Sequence, residues 1–162
     1  GTKNIFILQA LTKSMAIPGI RLGYLFCPKE QDAKKVQEQV SEWNVSVIAQ
    51  RAGIAGMQVL ADGTYLSQTR QLLERERVYL TQSLQEIGAK VYPGTANFLL
   101  FYEDSIEWYA ALLKQKILIR DCSDYAGLSK GFYRIAIRRR EENQVLVETM
   151  QAVKEGKEVR WK

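Results

Sequence analysis

The sequence predicts an α/β first part joined to an α+β second part, and three observations carry that prediction. A continuously apolar run, NIFILQA at 4–10, reads as a strand buried on both faces of a sheet. Residues 28–87 then show the spacing of amphipathic helices, and after Gly88 the period changes to that of strands. The break falls near residue 62, which gives domains of 1–62 and 63–162, the second with its own small sheet.

Taken in order, the strand at 4–10 is followed by a loop and by a second strand, GIRLGYLFC at 19–27, begun by Pro18-Gly19. PKEQDAKKVQEQVSEW at 28–43 is expected to be helical, with Pro28 early in the helix where its missing N–H costs nothing. Asn44-Val45-Ser46 breaks it, and Ser46 can cap a second helix running to about Leu60. A long helix fills roughly 63–87, where Tyr65, Leu72 and Tyr79 recur every seven residues beside Leu66, Leu73 and Leu80. Thr69 and Glu76 occupy positions that would complete a tight coiled-coil seam, so one broad buried face is expected instead. The strands KVYP, NFLLFY (97–102), ILIRDC (117–122) and FYRIAIR (132–138) follow, with a helix at about 104–115 between the second and third. A last helix over about 141–154 carries Leu146, Met150 and Val153 on one side, and Glu141 and Glu142 suit its positive amino end.

Composition excludes several classes. The chain has no histidine, so Ser-His and Cys-His nucleophile pairs and imidazole metal ligands are ruled out. Its two cysteines, Cys27 and Cys122, form no CxxC pair, and neither a disulfide framework nor a metal site is expected. Apolar runs of membrane-spanning length are missing, as is any aromatic-interleaved basic motif, so we expect a cytoplasmic protein with neither membrane nor nucleic-acid partners. The net charge of +5 is concentrated at Arg138-Arg139-Arg140, read as a solvated end, and in the stretch Lys154 to Lys162. Two apolar strands make too little sheet to cover NIFILQA, and the chain begins at Gly1, so a fragment of a longer protein is expected.

Chemistry is then left to lysine, arginine, tyrosine and the acids, or to a cofactor. Lys13 lies at the carboxyl end of the first strand, where open α/β sheets bind ligands. A lysine in a desolvated cleft near a second cation becomes a nucleophilic amine that can condense with an aldehyde. Arg21 supplies that cation, and its planar fork can hold a phosphate. Along FYRIAIR, alternation puts Tyr133, Ile135 and Ile137 on one face and Arg134, Ala136 and Arg138 on the other.

These residues resemble the lysine signature of the class I and II aminotransferases, within the fold-type I pyridoxal-phosphate enzymes. The pattern runs through Leu11, Thr12, Lys13, Ala16, Ile17, Gly19, Arg21, Leu22 and Gly23. Ala10 departs from it, standing where the family usually has a Ser or Gly. The resemblance implies the C-terminal part of such an enzyme, with an incomplete large-domain sheet and an α+β small domain. It implies pyridoxal 5'-phosphate as cofactor, Lys13 as the Schiff-base lysine, and Arg21 and Thr12 as cofactor contacts. TANFLLF, ILIRDCSDYAGL and YRIAIRRREEN resemble small-domain segments of two branches, the threonine-phosphate decarboxylases and the histidinol-phosphate aminotransferases. There Arg134 would grip the substrate carboxylate, Arg120 would help bind the substrate's anionic groups, and Asn44 would line the cleft or serve as a structural cap. AIPGIRLGY, LIRDCS and RREEN favour the decarboxylase branch, which forms aminopropanol phosphate in cobalamin biosynthesis, over the aminotransferase. A non-catalytic interaction module is a third reading. The relatives imply a homodimer acting on a phosphorylated amino acid. The upstream half would carry the remaining cofactor ligands, and the 162-residue piece alone would be inactive.

Overall fold

The computed structural model describes residues 4–157, which fall into two compact units with the boundary between Gln68 and Thr69. In the first unit, β1 (Ile7–Ala10) and β2 (Gly23–Phe26) pair antiparallel, Ile7 opposite Phe26 and Ala10 opposite Gly23. A one-turn helix, α1 (Leu11–Ser14), follows β1 directly, and α2 (Glu30–Gln37) and α3 (Val47–Leu60) complete the unit. Ser46 caps α3 as expected, its hydroxyl accepting the Ala49 N–H at 3.1 Å.

Two expectations fail in this unit. NIFILQA is not buried on both faces: Ile5, Phe6 and Ile7 are half exposed and Leu8 is 80% exposed. A two-stranded ribbon offers a second layer to neither face, so the apolar run stands largely in solvent. The helix expected over 28–43 shrinks to α2, with Pro28 outside it and Lys29 at its amino cap. None of its residues is buried, and propensity alone does not sustain a helix without a packed face.

What holds the first unit together is close approach at three glycines. A Cβ on Gly23 would lie 2.6 Å from the Gln9 carbonyl oxygen, which makes glycine a requirement of the β1–β2 pairing. On α3, a Cβ on Gly53 would meet the Leu22 side chain at 2.6 Å, and one on Gly56 would meet the Met15 sulfur at 2.1 Å. The helix thus presents bare backbone to both shoulders of the loop that joins the strands.

The second unit is a four-stranded antiparallel sheet of order β3-β4-β6-β5, built from β3 (Lys90–Tyr92), β4 (Phe98–Tyr102), β5 (Arg120–Asp121) and β6 (Phe132–Ala136). The helices are α4 (Thr64–Glu86), which runs across the boundary, α5 (Trp108–Lys114) and α6 (Arg140–Lys154). Leu99 and Phe101 of β4, with Tyr133 and Ile135 of β6, are buried against Leu80 and Leu84 of α4, Trp108 and Leu112 of α5, and Leu146 and Met150 of α6. Each such side chain contributes about 1.5–3 kcal/mol through area removed from water. The strand expected over 117–122 pairs only at Arg120 and Asp121.

Glu76 is fully buried on the face that α4 turns to this core. Arg140 donates to both its oxygens, Nε to Oε2 at 3.0 Å and Nη2 to Oε1 at 3.1 Å, while Asn143 donates at 3.0 Å and Arg75 at 3.3 Å. Burial pushes the Glu76 carboxyl up, but the hydrogen bonds from Arg140, Asn143 and Arg75 outweigh it, and its pKa lies below the ordinary glutamate value. This corrects the reading of Arg138-Arg139-Arg140 as simply solvated: Arg140 is half-buried, bonded to Glu76 and stacked 4.0 Å over the Tyr79 ring. Asn143 also exchanges two hydrogen bonds with the Arg138 backbone, closing the turn from β6 into α6.

Both α4 and α5 end in a paired carbonyl cap. Ala89 N–H bonds Leu84 C=O and Gly88 N–H bonds Gln85 C=O, with Gly88 at φ +88°. In α5 the left-handed position is taken by Lys116 at φ +60°, with Ile117 N–H on Leu112 C=O. Lys116→Gly should therefore raise stability by about 0.5–1 kcal/mol in urea unfolding, since glycine adopts that φ without its Cβ penalty. Gly23→Ala should strip hydrogen-exchange protection from the amides of the β1–β2 ladder, because the clash is with backbone. Gly56→Ala should leave it nearly intact, because the Met15 thioether can swing aside. For Glu76, a lowered folded pKa means that its stabilisation is complete above the unfolded glutamate value of about 4.3 and fades as pH falls through the folded one. Glu76→Gln should cost about 2 kcal/mol at pH ~7, reduced from a fully buried pair by the 39% exposure of Arg140, and the difference from wild type should shrink toward pH ~3.

Candidate functional site

Residues 11–22 form a loop closed at its base by the Ala10–Gly23 pair and by a 3.1 Å hydrogen bond from Leu11 N–H to Leu22 C=O. Its first turn is α1, which ends in the same two-bond cap as α5. Ile17 N–H reaches Thr12 C=O at 3.3 Å, Ala16 N–H reaches Lys13 C=O at 3.5 Å, and Ala16 takes the left-handed φ of +51°. Gln9 Nε2 donates to Ser14 Oγ at 2.9 Å and ties the turn to β1.

Lys13 thus rides on a backbone fixed at both ends, and its side chain is exposed. Arg21 is exposed on the same loop at φ +56°, a conformation costing a non-glycine residue roughly 1–2 kcal/mol. Among the described residues neither cation has a carboxylate within ion-pair distance. Both strained positions, Ala16 and Arg21, follow Lys13 within the same closed loop.

Thr12 is half-buried and contributes its carbonyl to the cap. Ala10 stands at the amino cap of α1 with no side chain to fill it, as its departure from the family pattern implies. Asn44 is exposed in the loop before α3 and is not the cap, a role filled by Ser46. Beside it, Trp43 is 94% exposed at φ +60°.

In the second unit Arg120 and Arg134 are register partners across β5 and β6, so both project from one face of the sheet. It is the face opposite Tyr133 and Ile135, each 2% exposed, as the alternation of FYRIAIR predicts. The Arg134 guanidinium lies 4.8 Å from the Phe98 ring centre. Arg120 is bonded to Asp124 at 2.6 Å and lies 5.3 Å from the Tyr125 ring. Cys122 is a buried free thiol whose pKa burial pushes up, and Cys27 is half-buried and free. Sequence reasoning missed Phe98, Asp124 and Tyr125 as neighbours of these arginines. The signal for Asp124 was its place four residues after Arg120, which brings the two together only once the intervening chain turns.

The donor set of the 11–22 loop suits an aldehyde bearing a phosphate: an exposed primary amine and a guanidinium fork on one closed loop, neither already paired among the described residues. Within the described residues no cluster of metal-ligating side chains is present, and no helix is long and apolar enough to cross a membrane.

A threonine-phosphate decarboxylase of Salmonella typhimurium is 36% identical over 156 residues, which cover 94% of this chain and 42% of that protein. An adenosylcobalamin biosynthesis bifunctional protein of Leptospira interrogans is 28% identical over 167 residues, covering 99% of this chain and 19% of the relative. Among solved structures, the histidinol-phosphate aminotransferase from Clostridium acetobutylicum superposes with a TM-score of 0.84 at 31% identity, over 93% of this chain and 46% of that one. The chain therefore spans about two-fifths of the length of the first relative, and it shares the fold of the matching part of the aminotransferase. Residues 1–150 match the family described as aminotransferase class I and II. The chain belongs to the class I and II aminotransferase family.

Proposed function

We propose that this chain is the lysine-bearing, C-terminal portion of a pyridoxal-phosphate-dependent threonine-phosphate decarboxylase, which forms aminopropanol phosphate for cobalamin biosynthesis. The observation that carries the reading is the closed 11–22 loop, which presents Lys13 and Arg21, without ion-pair partners among the described residues, in the positions of the family's signature. The 36% identity to a protein of that name supports the substrate class. When bound, pyridoxal phosphate supplies an aldehyde to receive an amine and an electron-withdrawing ring. Lys13 would be the amine that holds it and, once released, would carry a proton to or from the substrate's Cα. Arg21 would hold its phosphate through its paired N–H groups, and Thr12 would be a further cofactor contact. Arg134 takes the substrate carboxylate, Arg120 helps hold its anionic groups, and Asn44 lines the cleft.

In this reading residues 1–62 belong to the large domain and 63–162 to the small one. The exposed apolar flank of β1 and β2 is covered by the rest of the enzyme, which works as a cytoplasmic homodimer. The likeness to a histidinol-phosphate aminotransferase structure favours a second reading, amino transfer from a phosphorylated amino alcohol. Both use the same residues and differ in which bond at Cα is held for cleavage.

In the whole enzyme, carbon dioxide release from threonine phosphate is the expected result. Lys13→Ala should lower turnover at least about 1,000-fold, and Arg134→Gln should raise KM roughly 10–100-fold through loss of a charge-assisted pair. Amino transfer to an oxo acid without carbon dioxide release would select the second reading, and silence in both assays would overturn the proposal. The 162-residue chain mixed with pyridoxal phosphate should give no stable stoichiometric absorbance band of bound cofactor.

A further inference from the structure

The sheet face carrying Arg120 and Arg134 holds two cations in unequal states. They sit directly opposite one another across β5 and β6, an arrangement that is unfavourable for like charges unless each is compensated. Arg120 is compensated from within the protein. Asp121 Oδ1 accepts the Ser123 N–H at 2.9 Å, and Tyr125 N–H bonds Cys122 C=O at 3.1 Å. Those two bonds turn the chain back on itself and set Asp124 and Tyr125 against the Arg120 guanidinium. Arg134 has no such partner: among the described residues no carboxylate lies within 4.0 Å of it, and its guanidinium rests on Phe98. Asp121 occupies the alternate position on β5, opposite buried Tyr133, and so belongs to the other side of the pleat.

We propose that Asp124 is a specificity-determining residue of this face: by occupying Arg120 it leaves Arg134 as the free cation for a carboxylate, and a phosphate dianion must displace it to reach Arg120. The inference rests on the reading of the two arginines as ligands of substrate anions. The Arg120–Asp124 pair is open to solvent, at 46% and 64% exposure of the two side chains, so it holds weakly enough to be exchanged. A phosphate group, with a higher charge and three strong acceptor oxygens, competes with it where a second carboxylate does not. Asp124 thereby makes the face discriminate between ligands bearing two carboxylates and ligands bearing a carboxylate and a phosphate.

The test is a titration of the 162-residue chain with inorganic phosphate and with acetate, followed by the Nε–H resonances of Arg120 and Arg134. In Asp124→Asn, phosphate should bind at Arg120 about threefold more tightly than in wild type, the range set by a solvent-exposed pair. Acetate at Arg134 should be unchanged, and the gain should vanish when Arg120→Gln is added. Glu142→Gln, which removes the same charge from an exposed pair with Arg138, controls for the general field and should alter neither titration. Unchanged phosphate affinity at Arg120 in Asp124→Asn, or a gain for acetate at Arg134 equal to the gain for phosphate at Arg120, would overturn the proposal while leaving the arginines as ligands. If neither anion moves either arginine resonance in any variant, the reading of Arg120 and Arg134 as anion ligands falls and the proposal with it.

Discussion

The pleat of β6 is the constraint on which the second unit depends. Tyr133, Ile135 and Ile137 must lie on the side where α4, α5 and α6 supply apolar cover, and their burial to 7% exposure or less fixes the face of every residue between them. Arg134 is thereby committed to the open side, and the register with β5 brings Arg120 to the same side. A slip of one residue would bury two guanidiniums and expose a tyrosine and two isoleucines, at a cost of many kcal/mol in desolvated charge and lost apolar burial. The placement of both guanidiniums on this face follows from core packing on the other.

Glu76 solves a different problem with the same economy. A carboxylate inside an apolar core is unfavourable unless its oxygens are filled, and here four donor groups from Arg75, Arg140 and Asn143 fill them. Asn143 uses its remaining capacity on the Arg138 backbone, so the network joins the middle of α4 to the start of α6 and to the end of β6. Every buried polar side-chain atom among the described residues has a partner, and a network in that condition rigidifies rather than destabilises. The Arg140 guanidinium also lies over the Tyr79 ring, one turn along α4 from Glu76, 4.0 Å from its centre.

The first unit is held by backbone proximity more than by buried area. Leu11, Ala49 and Gly53 are its buried positions among the described residues, and the glycines at 23, 53 and 56 let strand, loop and helix approach to distances that a Cβ would forbid. The loop bearing Lys13 and Arg21 gains its definition from carbonyl capping and from strain at Ala16 and Arg21. Apolar side chains of β1, β2 and α3 remain in contact with water, among them Leu8, Phe26, Ile48 and Ile54. Exposure on that scale marks a surface made to be covered.

By itself the sequence determined the type and order of the elements apart from the one-turn helix α1, which lies where a loop is expected, together with the cap at Ser46, the buried face of FYRIAIR and the signature around Lys13, because each is a matter of short-range period, local hydrogen bonding or a contiguous motif. The exposure of NIFILQA was decided by tertiary structure: an apolar run states that it wants cover, and only the neighbouring layers determine whether it has any. Tertiary structure likewise shortened α2, which found no surface to pack on. Glu76 and Arg140 are 64 positions apart, so their pairing was invisible to any local pattern, and a glutamate in a helical seam reads as a break until its partner arrives from another helix. Arg120 and Asp124 are near in sequence, yet only the turn between them converts spacing into contact. Period fixes which way a side chain faces; what it meets there depends on how distant parts of the chain come together.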